Sequence, residues 1–303
     1  MGRTGPRKLA QASIPGQTSQ PAARGEHNRL VSAPLRLLTY LAPSIPEGFF
    51  ALLAEAIAAS TGRRTTLDFE TAVSGPVPET DPFASGRADA AFVCGPSYAL
   101  LRAAGAPVEI VPAAAVFDDP RNEGRPVYFS DVVVPRDHPA RGLADLRGAV
   151  WTYNDRQSLS GWHRMLARLD TLGLGAPERF FSRVVASGAH VRSIERVSRG
   201  EADVSAVDSN VLLLERRRDP DLDFRIRVLE SWGPSAVQPV LVRSALEPEL
   251  KSSIADTLLS LHRDPETASR LARFGVLRFA RVDEATYLRL GAGDRLPSFP
   301  APL

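Results

Sequence analysis

Two stretches of this chain read alike. GRADAAFVCGPS (residues 86–97) and GEADVSAVDSNV (residues 200–211) each run Gly-x-Ala-Asp, then a short apolar segment with Val, then a polar or small cluster. They stand 114 residues apart, from 86 to 200. A glycine followed by an apolar strand is a common entry to a sheet. The same phrase written twice implies two similar structural units and restricts the folds open to the chain.

The segments around the echo support this. LRLLTYL is a buried-strand candidate, and after it Pro46 opens and Gly62 closes a helix with apolar residues at helical spacing. TTLDFE is expected to be a strand. DPFASGRADAAFV is expected to give a short helix, a turn at Gly86 and a strand. SYALLRAAG is expected to be a helix ended by Gly105, and VEIVPAAAVF one more strand. The second half repeats the order. GAVWTYN, FFSRVVAS, ADVSAV and FRIRVLES alternate as strands with the helices GWHRMLARLDTLG, HVRSIERVSRG and SNVLLLERRR. In the first of these helices Trp162, Met165, Leu166, Leu169 and Leu172 share one face. Alternation of this kind implies α/β architecture, with mostly parallel sheets flanked by helices.

The remainder, from EPELKSSIADTLLSLHR onward, reads as mainly helical. It is expected to pack back on the first unit. The chain then crosses between lobes twice, near residues 126–131 and 235–242, with a cleft at the hinge. The expected domains are an N-terminal extension (1–33), one lobe (34–126 plus 238–290), a second lobe (127–237) and a C-terminal tail (291–303). The first 32 residues are rich in Gly, Pro, Gln, Ser and Arg and carry no apolar core of the kind a secretory signal requires, so this stretch reads as disordered.

Composition removes several functions. The net charge of +2 argues against nucleic acid as a partner. Cys94 is the single cysteine, which rules out an intramolecular disulfide and leaves the compartment open. The five histidines, at 27, 138, 163, 190 and 262, show no metal-ligand spacing, and no cofactor is implied.

In parallel α/β sheets ligands sit beyond the carboxyl ends of the strands. That rule selects Tyr40, the Cys94–Ser97 run, YNDRQSLSGW (residues 153–162), Ser187 to His190, and Asp208. Ser158, Ser160 and Gly161 stand at a helix start, where free amides and two hydroxyls form an anion cradle; one serine alone would serve as an N-cap. His190 also opens a helix. It is either a capping residue or an anion donor that titrates near neutrality. Asp208 is either a cap or an acceptor for a protonated oxyanion or an amine. Tyr128 is either hinge packing or a phenol donor.

RPVYFSDVVVPRD, DLRGAVWTYNDRQSLSGW, SGAHVRSIERVSRGEADVSAVDSNV and LEPELKSSIADTLLSL, in this order, resemble the phosphate/phosphite/phosphonate-binding proteins of ABC transporters. That family belongs to the two-lobed periplasmic-binding-protein-like type II fold. The resemblance spans residues 35–290. It implies a small oxyanion held between the lobes by Ser158, Ser160 and nearby amides, by His190, and by Tyr128 and Asp208. It also implies an ABC permease as partner and a monomeric chain. Two positions depart from the family pattern. Cys94 stands where an aromatic residue is common, and Gln238 where an Asp is common. The other readings are an enzyme, in which Cys94, His190 and Asp208 form a Cys–His–Asp arrangement or the chain serves cofactor or pyrimidine biosynthesis, and a ligand sensor. The family is extracytoplasmic, and the sequence leaves the compartment undecided.

Overall fold

The computed structural model describes residues 33–288. The expected tail 291–303, and the expected extension apart from Ala33, lie outside the described residues.

β1 (Leu35–Thr39) leads into α1 (Glu47–Thr61), which begins directly after Pro46 and ends at Gly62, where φ is 65°. A glycine takes this left-handed conformation without a Cβ penalty. β2 (Thr65–Phe69), β3 (Ala90–Phe92) and α2 (Gly95–Ala103) follow. VEIVPAAAVF is two strands, β4 (Val108–Ile110) and β5 (Ala114–Phe117), where one was expected. Pro112 lies between them and has no N–H to give a ladder.

β6 (Val127–Pro135) and β7 (Val150–Tyr153) come next. A π-helical turn at Leu159–His163 runs into α3 (Arg164–Thr171). Then come α4 (Pro177–Phe180), β8 (Arg183–Ala186), α5 (His190–Ser198), β9 (Ser205–Asp208), α6 (Ser209–Arg218), α7 (Leu222–Arg225) and β10 (Ile226–Ala236). The last stretch holds β11 (Val240–Arg243), α8 (Pro248–Ser260), α9 (Pro265–Ala272), β12 (Val276–Ala280) and α10 (Glu284–Leu288).

One sheet has the order β2-β1-β3-β11-β4, with β1 parallel to β2 and β3, and β11 antiparallel to β3 and β4. β12 pairs with β5, and α8 packs on α1, so the C-terminal stretch lies on the first half. In the second half β7 pairs with β8, and β9, β6 and β10 form a ladder. The Trp151–Val204 bridge joins the two. Each half therefore presents five strands in equivalent positions. β10 and β6 run side by side, ending at the Ala236–Val127 pair, where the Val237 amide bonds the Pro126 carbonyl at 3.0 Å.

The echo has a structural meaning. Gly86 and Gly200 both turn the chain with positive φ, 69° and 70°. Asp89 Oδ2 accepts the Arg36 amide at 3.0 Å, and Asp203 Oδ2 accepts the Val150 amide at 2.7 Å; each bond spans 53 residues. Leu37 lies opposite Ala90 in one half and Trp151 opposite Val204 in the other, and both members move by 114 (37 to 151, 90 to 204). Each Gly-x-Ala-Asp thus fastens the start of the first strand of its half to the entry of the third.

Candidate functional site

The strand ends and helix starts of the two halves meet around a cavity of about 30 Å³. At roughly 10–15 Å³ per water-sized occupant, that is room for two or three such groups. On the second-half side its lining includes Asn154, Ser158, Ser160, His190 and Asp208; on the first-half side it includes Tyr40, Leu41, Ser44, Ile45, Ser74 and Cys94. Gln238, at the second crossing, completes it.

The Ser158–Ser160 segment is held from three sides. The Ser158 carbonyl accepts both the Trp162 and His163 amides, at 3.2 and 3.1 Å, and the second of these is the i→i+5 bond of the π turn. Trp162 stacks on Trp151 with ring centres 5.0 Å apart, which docks the turn on β7. Ser130 Oγ, on β6, donates to the Ser160 carbonyl at 2.7 Å. Ser158 Oγ accepts the Gly161 amide at 3.0 Å, so this serine is a cap as well as a cavity wall. Gly161 does not line the cavity. A Cβ there would run into Asn154 Oδ1 and lie 3.2 Å from His190 Cε1, so its missing side chain is what lets these two neighbours approach.

His190 Nε2 lies 3.4 Å from Ser158 Oγ and 3.2 Å from Ser160 Oγ. Burial pushes its pKa down to about 3, so the ring is neutral at physiological pH. This corrects the expectation that it titrates near neutrality: no carboxylate partner offsets the cost of placing an imidazolium here. His190 Nδ1 and Asn154 Oδ1 are buried without a hydrogen-bond partner. Buried polar groups are rarely left so.

Asp208 is the N-cap of α6, accepting the Asn210 amide at 2.8 Å, and it also accepts Gln238 Nε2 at 2.6 Å. Burial raises its carboxyl to about 6 despite these donors. Cys94 occupies the matching cap position of α2, 114 residues earlier (94 to 208). Its thiol is pushed up to about 12, chiefly by burial, and its Sγ accepts the Leu159 amide at 3.4 Å. Tyr40 lines the cavity, and burial pushes its phenol up to about 12. Tyr128 stands behind the wall, fully buried; its pKa is raised by burial first, then by Cys94 and Asp208, while a hydrogen bond with Ser160 opposes the rise. Ser97 is buried under Gly75 and away from the cavity, its hydroxyl unpartnered.

Sequence reasoning missed the contacts that hold the cleft shut. The His190 amide donates to Ser44 Oγ at 2.9 Å. Ser74 Oγ bonds Asp155 Oδ2 and accepts Asn154 Nδ2 at 3.0 Å. Burial raises the Asp155 carboxyl, with the Ser74 bonds opposing. Ser74 follows β2, so the strand-end rule already points to it; Asn154 and Asp155 lie inside YNDRQSLSGW; nothing local marks Ser44.

A mixed α/β chain in two lobes, with helix starts turned into a closed cleft, has the periplasmic-binding-protein-like type II fold of solute-binding proteins. Within that fold the chain belongs to the family of phosphonate ABC-transporter periplasmic substrate-binding proteins, whose sequence profile matches residues 47–287. Solved structures agree on the fold. A binding-protein component of an ABC phosphonate transporter from Pseudomonas aeruginosa is 17% identical over 85% of this chain and 84% of that one, with a TM-score of 0.72. PhnD1 from Prochlorococcus marinus, in complex with methylphosphonate, is 14% identical over 85% and 96%, with a TM-score of 0.68. A Xanthomonas citri protein bound to ATP is 18% identical over 86% and 95%, with a TM-score of 0.63.

Proposed function

We propose that the chain captures a small oxyanion of the phosphate, phosphite or phosphonate type between its lobes and delivers it, as a monomer, to an ABC permease. The observation that carries this reading is the convergence of the Ser158 and Ser160 hydroxyls on His190 Nε2 at the wall of a closed cavity. No Arg or Lys is among the lining residues, so the donors are neutral hydroxyls, amides and an imidazole N–H. Neutral donors bind an anion without first having to shed a hydration shell of their own charge. In this reading the lobe boundaries fall at residues 126/127 and 237/238, where β6 and β10 adjoin.

A nucleophilic role for Cys94 is the weaker reading. A thiol pushed up to about 12 is the reverse of an activated thiolate. The methylphosphonate-bound relative supports the ligand class. Calorimetric titration with phosphate, phosphite, methylphosphonate and sulfate tests the proposal. Saturable binding of at least one phosphorus oxyanion is expected, and no binding to any of them overturns it.

A further inference from the structure

Polar groups line the chamber from both halves, and its first-half side also carries an apolar wall of Leu41, Ala42, Ile45 and Val73. Behind that apolar wall lies a second cavity, also of about 30 Å³. Five phenylalanines line it, Phe49, Phe50, Phe92, Phe117 and Phe279, together with Ala115. Leu41, Ile45 and Gln238 line both cavities and are the partition between them. Leu41 and Gln238 are only half-buried, unlike the phenylalanines behind them.

We propose that this annex receives the carbon substituent of an organophosphonate, and that the chain prefers a short apolar substituent to a bare or amino-bearing head group. The inference rests on the oxyanion reading, since the head group must sit against Ser158, Ser160 and His190 for its substituent to point at the partition. An apolar chain gains by leaving water for a wall of phenylalanine and leucine. A primary ammonium loses there. Gln238 is the one polar residue lining the annex, and Asp208, the one acid lining the chamber, already accepts the Gln238 amide. Gln238 thereby screens the carboxylate that an aminoalkyl group would need.

The test is calorimetry on the full chain with phosphate, phosphite, methyl-, ethyl-, propyl- and 2-aminoethylphosphonate, plus the trimethylammonioethyl and 3,3-dimethylbutyl pair, which share a shape and differ in charge. Affinity is expected to rise about fourfold per methylene up to propyl, the ordinary gain for burying a CH₂. The aminoethyl ligand is expected to fall at least about tenfold below ethyl. Ala115→Met, which fills the annex, is expected to erase the dependence on chain length; if that variant does not fold, the wild-type series decides alone. A flat or falling series, with phosphite or methylphosphonate still bound, overturns the annex and leaves the oxyanion reading standing. Tighter binding of the trimethylammonio ligand than of its neutral twin overturns the apolar occupant in favour of a cation held by aromatic faces. Binding of nothing in the series overturns the oxyanion reading and this inference with it.

Discussion

At His190 the fold removes the charge that a free histidine would carry in mild acid, and the pH handle passes to a carboxylate. With its pKa near 3, His190 stays a neutral donor throughout the physiological range. Asp208, raised to about 6, titrates within it. An ionised Asp208 repels an oxyanion; a protonated one donates to it. The sign is therefore fixed: oxyanion affinity falls as pH rises through about 6, by up to one decade per pH unit where a single proton is taken up. The closed fold also holds this proton more tightly than the unfolded chain does, so stability falls as pH rises from the unfolded value near 4 through about 6. Calorimetry from pH 5 to 8 on wild type and Asp208→Asn checks this, and the variant is expected to lose the step. A step that persists in the variant belongs to the ligand. The serines are tested separately. Ser158→Ala with Ser160→Ala removes two hydroxyl bonds to a charged group, at roughly 1.5–3 kcal/mol each, a loss of two to four decades in affinity. Because Ser158 also caps the turn, the melting curve should show about 1 kcal/mol of lost stability as well. Near-normal binding by the double variant would reduce these serines to caps.

Among the elements, the duplicated Gly-x-Ala-Asp has one job in both halves, and it is mechanical. Asp203→Ala leaves the Val150 amide without its acceptor and should cost about 1–3 kcal/mol. Asp89→Ala should cost more, because Asp89 also pairs with Arg36 at 2.9 Å and Arg243 at 2.8 Å. Denaturant unfolding measures both, and the folded variants should keep wild-type ligand affinity. Lost affinity without lost stability would mean the motif serves the ligand. This regularity was legible because it is local and repeated: glycine turns, apolar strands and helix starts recur at matched spacing. Elements defined by distant partners were not. β12 lies in a stretch read as mainly helical, yet it exists as the partner of β5; β11, at the second crossing, is four residues inserted between β3 and β4. The π turn was invisible for a related reason. Its i→i+5 bond depends on Trp162 docking against Trp151, which no local pattern encodes. Cys94 and Asp208, by contrast, sit at equivalent helix starts, and both line the cavity.

For the molecule as a whole, the question is what sets the balance between open and closed cleft. Across the lobes run Ser44 to the His190 amide, Ser74 to Asp155 and Asn154, the Leu159 amide to Cys94 Sγ and Gln238 to Asp208, together with the ion pairs of Arg121 with Asp131 and of Arg217 with Asp118. The neutral contacts contribute about 0.5–1.5 kcal/mol each and a bond to a carboxylate more, so removing one shifts the population several-fold or more without abolishing closure. Cys94 reports that population directly. In the closed form Cys94 is buried, 4% exposed, and its thiol is held far from ionisation. A thiol reagent therefore reacts through the open form, and its rate follows the open fraction. Ser74→Ala, which removes two bonds from the first-half side without touching the thiol, should label about fivefold to 150-fold faster than wild type, the range that follows from losing about 1–3 kcal/mol. A bound oxyanion should slow both proteins, because a ligand that bridges the lobes stabilises the closed form by mass action. The modified protein should then bind poorly, since an adduct on Cys94 occupies the chamber wall. If labelling proceeds at one rate in wild type and Ser74→Ala, with or without ligand, and affinity survives modification, Cys94 is reached by a route that does not involve the cleft, and these contacts do not govern closure.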